Sequence, residues 1–327
     1  MTPSIIGRRA AVAGLAVGGL TAGSAARGQG AWPDKPIRMI VPFPPGALVD
    51  AIGRLVADHL RAAFGQPVVV DNKPGAGTLL GASLVAAAPA DGHTLMVATT
   101  TTLGIAPALY ANPPVRTDQL TGVAMIGAVT LFLVARPGFP AKTVKELVEL
   151  VRSKPDGFTY ASPTAGTVHH LVMELLKADQ GLKCTHVPYK GSTQALTDLT
   201  EGRVDFMFLD ATVALPQIKA GKIGALAVTG AKRSPLMPEV PAMTESFPRI
   251  DLYAWQAIAA AAGTPAAIVA KIHASLDAAL ATPSFRDRLT TMGVEATPMT
   301  VAAFNALIRD DAGRWARLVK ESGAKAE

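Results

Sequence analysis

Cysteine is nearly absent from this chain of 327 residues: Cys184 stands alone. No intrachain disulfide can form, and no cysteine near the N-terminus offers a lipid-anchor site. Between Lys183 and Thr185, the lone thiol reads as a strand residue and not as a nucleophile. Aromatic residues make up 5% and charged residues 17%. Without a dense Lys/Arg stripe or a supply of stacking rings, the chain is not a nucleic-acid binder. It contains no Gly-x-x-x-x-Gly-Lys-Ser/Thr phosphate loop, no Gly-x-Ser-x-Gly elbow, no His-Glu-x-x-His and no cysteine pair. Those absences remove the common phosphate-loop, hydrolase and zinc templates. No cofactor and no metal is expected.

Apolar residues, by contrast, reach 49%, enough for a sizeable core. Part of that weight lies at the start. Arg8 and Arg9 precede a run of small apolar residues from Ala10 to Ala22, and Ser24, Ala25 and Ala26 follow. The run falls short of the roughly 20 residues a membrane span needs. It reads as an export signal, with residues 1–31 as the signal and cleavage region. The arginine pair leaves the twin-arginine and Sec routes both open. Removing 1–31 takes away Arg8, Arg9 and Arg27 and no acid, so the formal charge falls from +6 to +3.

From Ile37 onward, short apolar runs alternate with helical patterns. Strands are expected at Ile37–Val41, Val68–Val70 and Thr94–Ala98, with helices at Asp50–Phe64 and Thr78–Ala87. A second set begins near Arg136. Thr143 and Glu146 form a capping box, a strand covers Phe158–Ala161, and a helix runs from Val168 to Gly181. Further strands are expected at Thr185–Val187, Val204–Leu209 and Ala225–Thr229. The tail from Pro265 reads as helical, without strands of its own, and Asp310-Asp311 as a solvated face. This alternation predicts an α/β fold with mostly parallel sheets. The length predicts two domains, residues 32–134 with 253–327 and residues 135–252. Two crossings between them make a hinge, and a hinge makes a cleft that can close on a ligand.

Four segments are candidates for chemistry. The first is PFPPGALVD, where Pro44, Pro45, Gly46, Ala47, Leu48, Val49 and Asp50 join a strand to a helix. Such a loop presents helix N-terminal N–H groups to an anion. It reads equally as a rigid turn with Asp50 as helix cap. The second is YASPTAGTVHH, with Ser162, Thr164, Ala165, Gly166, Thr167 and His170. It runs strand, small-residue loop, helix, and offers hydroxyl donors. Neither loop contains Lys or Arg. His169 and His170 read more readily as helix packing than as ligand contacts. The third is TTTTLG, Thr99 to Gly104, whose four hydroxyls, Thr99 and Thr102 among them, either line a polar cleft or simply form a β-branched strand end. The fourth, GAGTLLGA at Gly75–Ala82, has the wrong glycine spacing for a dinucleotide fingerprint and reads as a tight turn.

Several stretches together resemble one family. They are WPDKPIRMIVPFPPGALVD, VVVDNKPGAGTLLGA, APADGHTLMVATT, YASPTAGTVHH, HVPYKGSTQALTDLTEGRVDFMF and GKIGALAVTGAKRSPLMPEVPAMTE. The chain resembles the Bug family of periplasmic solute receptors, the binding components of tripartite tricarboxylate transporters, from about Trp32 to Ala324. The resemblance implies a two-domain receptor of the type II periplasmic-binding-protein fold that captures a carboxylate and hands it to a membrane permease. Such a receptor needs no partner subunit to form its cleft, and a monomer is expected. It implies that Pro44–Asp50 and Ser162–His170 close over the carboxylate, largely through backbone N–H groups. The family usually has two glycines where this chain has Gly46-Ala47, small or polar residues at Leu48-Val49, and glycine at Thr164. It often has Asp-Asn at Leu209-Asp210. These departures narrow the cleft and make its wall more apolar, so a monocarboxylate with a hydrophobic body is expected over citrate. A ligand-sensing receptor and a periplasmic carboxylate-processing enzyme are the alternatives.

Overall fold

The computed structural model describes residues 1, 32–110 and 112–324. The expected export segment, beyond Met1 itself, lies outside the described residues. The chain begins with β1 (Ile37–Val41), α1 (Leu48–Phe64), β2 (Val68–Asn72), α2 (Leu79–Ala86) and β3 (Thr94–Thr99). A wide helical turn at Thr101–Ile105 runs into α3 (Ala106–Leu109), and β4 (Leu120–Val129) follows. After one residue, Thr130, come β5 (Leu131–Ala135), α4 (Val144–Ser153), β6 (Thr159–Ser162), α5 (Val168–Gln180) and β7 (Thr185–Pro188). Then come α6 (Ser192–Thr200), β8 (Phe206–Asp210), α7 (Ala211–Lys219) and β9 (Gly224–Val228). The chain closes with β10 (Ala254–Ala261), α8 (Ala266–Ala281), α9 (Pro283–Thr291), β11 (Val294–Ala296) and α10 (Val301–Ser322).

Two mixed sheets result, in the orders β11-β4-β10-β3-β1-β2 and β7-β6-β8-β5-β9. Each is covered by helices, so the protein has two α/β domains. The first crossing falls at Thr130, because Leu131–Ala135 pairs with β8 and β9 of the second sheet. The boundary expected at residue 134 would have cut through β5. The chain returns to the first sheet through β10, which lies antiparallel between β3 and β4. It is buried on both faces, with Trp255 on one side and Gln256 on the other.

Local chemistry explains the helix ends. Thr143 Oγ accepts from Glu146 N, although the Glu146 carboxylate turns to Lys142 N and not to the cap residue. Thr300 Oγ accepts from Ala303 N to start α10. α1 begins two residues earlier than expected. Its cap is Ala47, and Asp50 sits in the first turn.

Two expectations about the tail change. It does contribute a strand, β11, which pairs with β4. Asp311 is not solvated: it is buried and its carboxylate accepts from Trp255 Nε1 at 2.6 Å. That bond, with the edge-on contact of Trp255 and Phe304, ties α10 to the centre of the first sheet. A buried carboxylate without such a donor would be costly.

Cys184 is buried at the start of β7, and burial pushes its thiol up to about 12. Only the thiolate reacts with disulfide reagents. Ellman's reagent at about pH 8 should therefore leave the native protein unlabelled and titrate one thiol once denaturant is added. Fast labelling of the native chain would mean that this edge of the second sheet opens.

Candidate functional site

In an open α/β sheet the helices that follow parallel strands start at the strands' carboxyl ends. Here the two sheets turn those ends toward each other. A small cavity of about 30 Å³ lies between them. From the first sheet it is lined by Phe43, Val49, Ala254 and Gln256 and by Thr99, Thr100 and Thr101. From the second it is lined by Val168, His169 and Asp210.

Those positions share a feature. Val49 is the second residue of α1, Val168 the first of α5, Thr101 the first of the helical turn after β3, and Asp210 the N-cap of α7. Four helical starts therefore converge on one space. Each brings unpaired first-turn N–H groups and the positive end of a helix dipole. No Lys or Arg lines the cavity. The arrangement suits a small anion held by backbone groups.

The first loop is braced from beneath. Asp50 is 5% exposed. Its carboxylate accepts from Gly46 N, Arg54 Nε and Asn72 Nδ2, each at 3.0 Å. Asn72 Nδ2 also donates to the Phe43 carbonyl. Burial pushes the Asp50 carboxyl up, but the hydrogen bonds from Arg54, Gly46 and Asn72 outweigh it and hold the group below its ordinary value. Gly46 has φ +84°, and a Cβ there would meet nothing within 4 Å. Its glycine is required by backbone conformation and not by a close approach. Pro45 and Gly46 are exposed, and Pro44 and Ala47 form the half-buried rim. Leu48 points into the core, so of the two expected wall residues only Val49 reaches the cavity.

The second loop is braced by its own hydroxyls. Ser162 Oγ donates to the Thr164 carbonyl and contacts His186 Nε2 at 2.8 Å. Thr167 Oγ donates to the Thr164 carbonyl, and Thr164 Oγ donates to the Pro163 carbonyl. Ser162 and Thr167 have no exposed surface. These hydroxyls shape the loop and do not line the cavity. Gly166, at φ +76°, turns its N–H onto His170 Nδ1. His170 stacks on His186 with ring centroids 4.0 Å apart, and Tyr160 stacks on His186 in turn. Burial lowers His170 to about 4 and His186 to about 3, the latter with help from His170. Both rings are neutral at ordinary pH, which leaves His170 Nδ1 free to accept from Gly166.

His170, expected at the site, does not line this cavity; its neighbour His169 does, turned there by the helical offset. Thr102 is likewise a brace: its N–H donates to Thr99 Oγ, and the two hydroxyls lie 3.1 Å apart. Thr100 Oγ accepts from Trp255 N. Thr99 and Asp210 do line the space, while Thr164 and Ala165 are half-buried and not part of its lining. A Cβ on Gly77 would lie 3.8 Å from the Ala165 carbonyl, so the GAG turn packs against the second loop. Phe43, Thr100, Thr101, Val168, His169, Ala254 and Gln256 were missed. Of these, Phe43, Thr100, Thr101, Val168 and His169 lie inside the candidate segments, and for Ala254 and Gln256 only their period-2 alternation with Trp255 carried a signal.

The description "tripartite tricarboxylate transporter family receptor" matches residues 52–324. BugT of Bordetella pertussis is 33% identical, over 90% of this chain and 91% of its own. Among solved structures, Rpa4515 of R. palustris with adipate aligns with a TM-score of 0.87 and 31% identity, over 90% of this chain and all of that one. MatC of Rhodopseudomonas palustris with bound malate gives 0.82 and 33%, over 88% and 99%.

Replacing Asp50 by Asn would set an amide against three donors. The cost should be about 1–3 kcal/mol of stability at neutral pH. A carboxyl lowered in the folded state contributes above its unfolded value, near 3.9, and the contribution fades as pH falls through the folded value. Thermal melts should therefore show a wide gap between wild type and Asp50→Asn at neutral pH that closes in acid. A gap that stays constant with pH would remove the charge from the brace.

Proposed function

The chain belongs to the tripartite tricarboxylate transporter receptor family, and from that premise we propose an exported receptor for a small carboxylate with an apolar body. It binds the anion between its two sheets in the periplasm and hands it to a membrane permease of the transporter. The carrying observation is the convergence of helix N-termini on a space without Lys or Arg. Carboxylates bound by related receptors, adipate in Rpa4515 and malate in MatC, support the ligand class. Phe43, Val49, Ala254 and Val168 support an apolar body. Asp210 argues against a tricarboxylate, since its carboxylate faces the same space.

A receptor without turnover also fits the side chains. The serine–histidine contact beside the site, Ser162 with His186, is the nearest thing to a nucleophile and base. Ser162 is fully buried, and His186 at about 3 is too weak a base at neutral pH.

The cavity in this closed geometry holds about one water, so entry requires the sheets to part. The boundary is close-packed. A Cβ on Gly191 would lie 3.4 Å from Pro44, and one on Gly293 only 2.2 Å from the Ala211 Cβ. Ligand then shifts an open–closed equilibrium toward a closed form wide enough to hold it.

Two measurements test this reading. In thermal-shift assays on the mature chain, benzoate and hexanoate should raise the melting temperature and citrate should not. A ligand at about 100 times its Kd contributes about 2.7 kcal/mol. Stronger stabilisation by citrate would overturn the apolar-body assignment. Separately, Gly293→Ala should block closure and cut affinity at least about tenfold, against about 1 kcal/mol of strain for its positive φ alone. Gly65→Ala has similar strain, with φ +69° and nothing within 4 Å, and serves as control. Equal affinities in the two variants would dissociate binding from closure at Gly293.

A further inference from the structure

One part of the cavity has no role in holding a carboxylate. Gln256 is 5% exposed, and its Oε1 accepts no hydrogen bond. Both ring nitrogens of His169 are buried and equally without a hydrogen-bond partner. Buried polar atoms are nearly always satisfied, and unpaired ones cost about 1–3 kcal/mol each. Two such atoms, Gln256 Oε1 and His169 Nδ1, beside a His169 Nε2 that has only the Asp210 carboxylate at 3.4 Å, point to a group that arrives from outside.

The two residues come from opposite sides. Gln256 stands on β10 of the first sheet, opposite Thr99 in register. His169 stands in the first turn of α5, on the second sheet. Asp210 lies 3.4 Å from His169 Nε2. Closure brings all three onto a space of about 30 Å³, the size of one water or one hydroxyl.

The donors and acceptors select the group. Gln256 Oε1 needs a donor. A neutral imidazole has one N–H and one lone pair. A hydroxyl donates to the first and accepts from the second. It also serves if the amide is turned or the other imidazole tautomer is present. A second carboxylate has no proton for Gln256 and meets the charge of Asp210. An ammonium can donate to Gln256 Oε1 and toward Asp210, but it leaves the imidazole N–H unpaired in the tautomer that turns that N–H to the cavity.

We propose that His169 and Gln256 form a subsite, bridging the two sheets, that reads a hydroxyl on the bound carboxylate. The preferred ligands are then hydroxy-monocarboxylates. The subsite rests on the receptor reading above and narrows it to a substrate class.

Calorimetry with two matched series tests it: phenylacetate, mandelate and phenylglycine, and propionate, lactate and alanine. Mandelate or lactate should bind at least about tenfold tighter than its unsubstituted partner, the equivalent of about 1.4 kcal/mol or one hydrogen bond. In His169→Phe and in Gln256→Met that ratio should fall toward one. His169→Gln keeps a donor and an acceptor and should retain a preference. Circular dichroism melts identify any variant that fails to fold, and the remaining variants then carry the reading. Equal binding of hydroxy and unsubstituted acids by the wild type overturns the subsite, as does a ratio unchanged in both Phe and Met variants. Tightest binding of the amino congener overturns the hydroxyl assignment and gives the recognition to Asp210. No binding of any of the six, nor of benzoate, hexanoate or citrate, sinks the carboxylate-receptor reading itself and the subsite with it.

Discussion

The rest of the structure depends on where the helices begin. A parallel strand followed by a helix must place the helix N-terminus at the strand's carboxyl end. Two sheets built this way, joined through Thr130, face those ends toward each other. An anion between them meets several helix starts at once. One exposed helix end is worth about 0.3–1 kcal/mol toward a charge, and up to about 2 in a partly buried setting. Three or four together approach the free energy of micromolar binding, about 8 kcal/mol, once hydrogen bonds are added. No buried lysine or arginine is needed, and none has to be desolvated when the cleft is empty.

This scheme works only if the loops hold their N–H groups in place. Both loops do so by spending their polar side chains on themselves. Asp50 ties Gly46, Asn72 and Arg54 together under the first loop. Ser162, Thr164 and Thr167 knit the second, with neutral His170 fixing Gly166. Residues that look like ligand contacts in the sequence are therefore mostly scaffolding. The unsatisfied groups lie elsewhere, on His169 and Gln256, where the two halves meet.

Much of the fold was legible because alternating apolar runs and capping residues report local structure directly. β1 and α5 followed from pattern alone. β4 did not: Leu120–Val129 is buried along nearly its whole length, so it shows no period-2 alternation. α7 was hidden by Pro216 inside it, and β11 by its three-residue length. At the site, loop positions could be read but side-chain directions could not. Whether His169 or His170 faces the cleft depends on the helix phase set by packing against Tyr160 and His186. Whether Asp311 is solvated depends on Trp255, 56 residues away in sequence. Such choices are made by tertiary contacts and leave no trace in composition or spacing.

The site is electrostatically lopsided, and that asymmetry bears on the ligand. Asp210 caps α7 and places a negative charge at one helix start, so that end of the cavity is already neutralised. The starts of α1 and α5 and of the turn after β3 carry no acid facing the space. A carboxylate therefore gains most on the side of α1 and α5 and loses ground toward Asp210. Between the two lie Phe43, Val49, Val168 and Ala254, which favour an apolar stretch. A ligand with a charged end, an apolar body and an uncharged polar group satisfies the three regions together. One with charge at both ends satisfies the first and opposes the last.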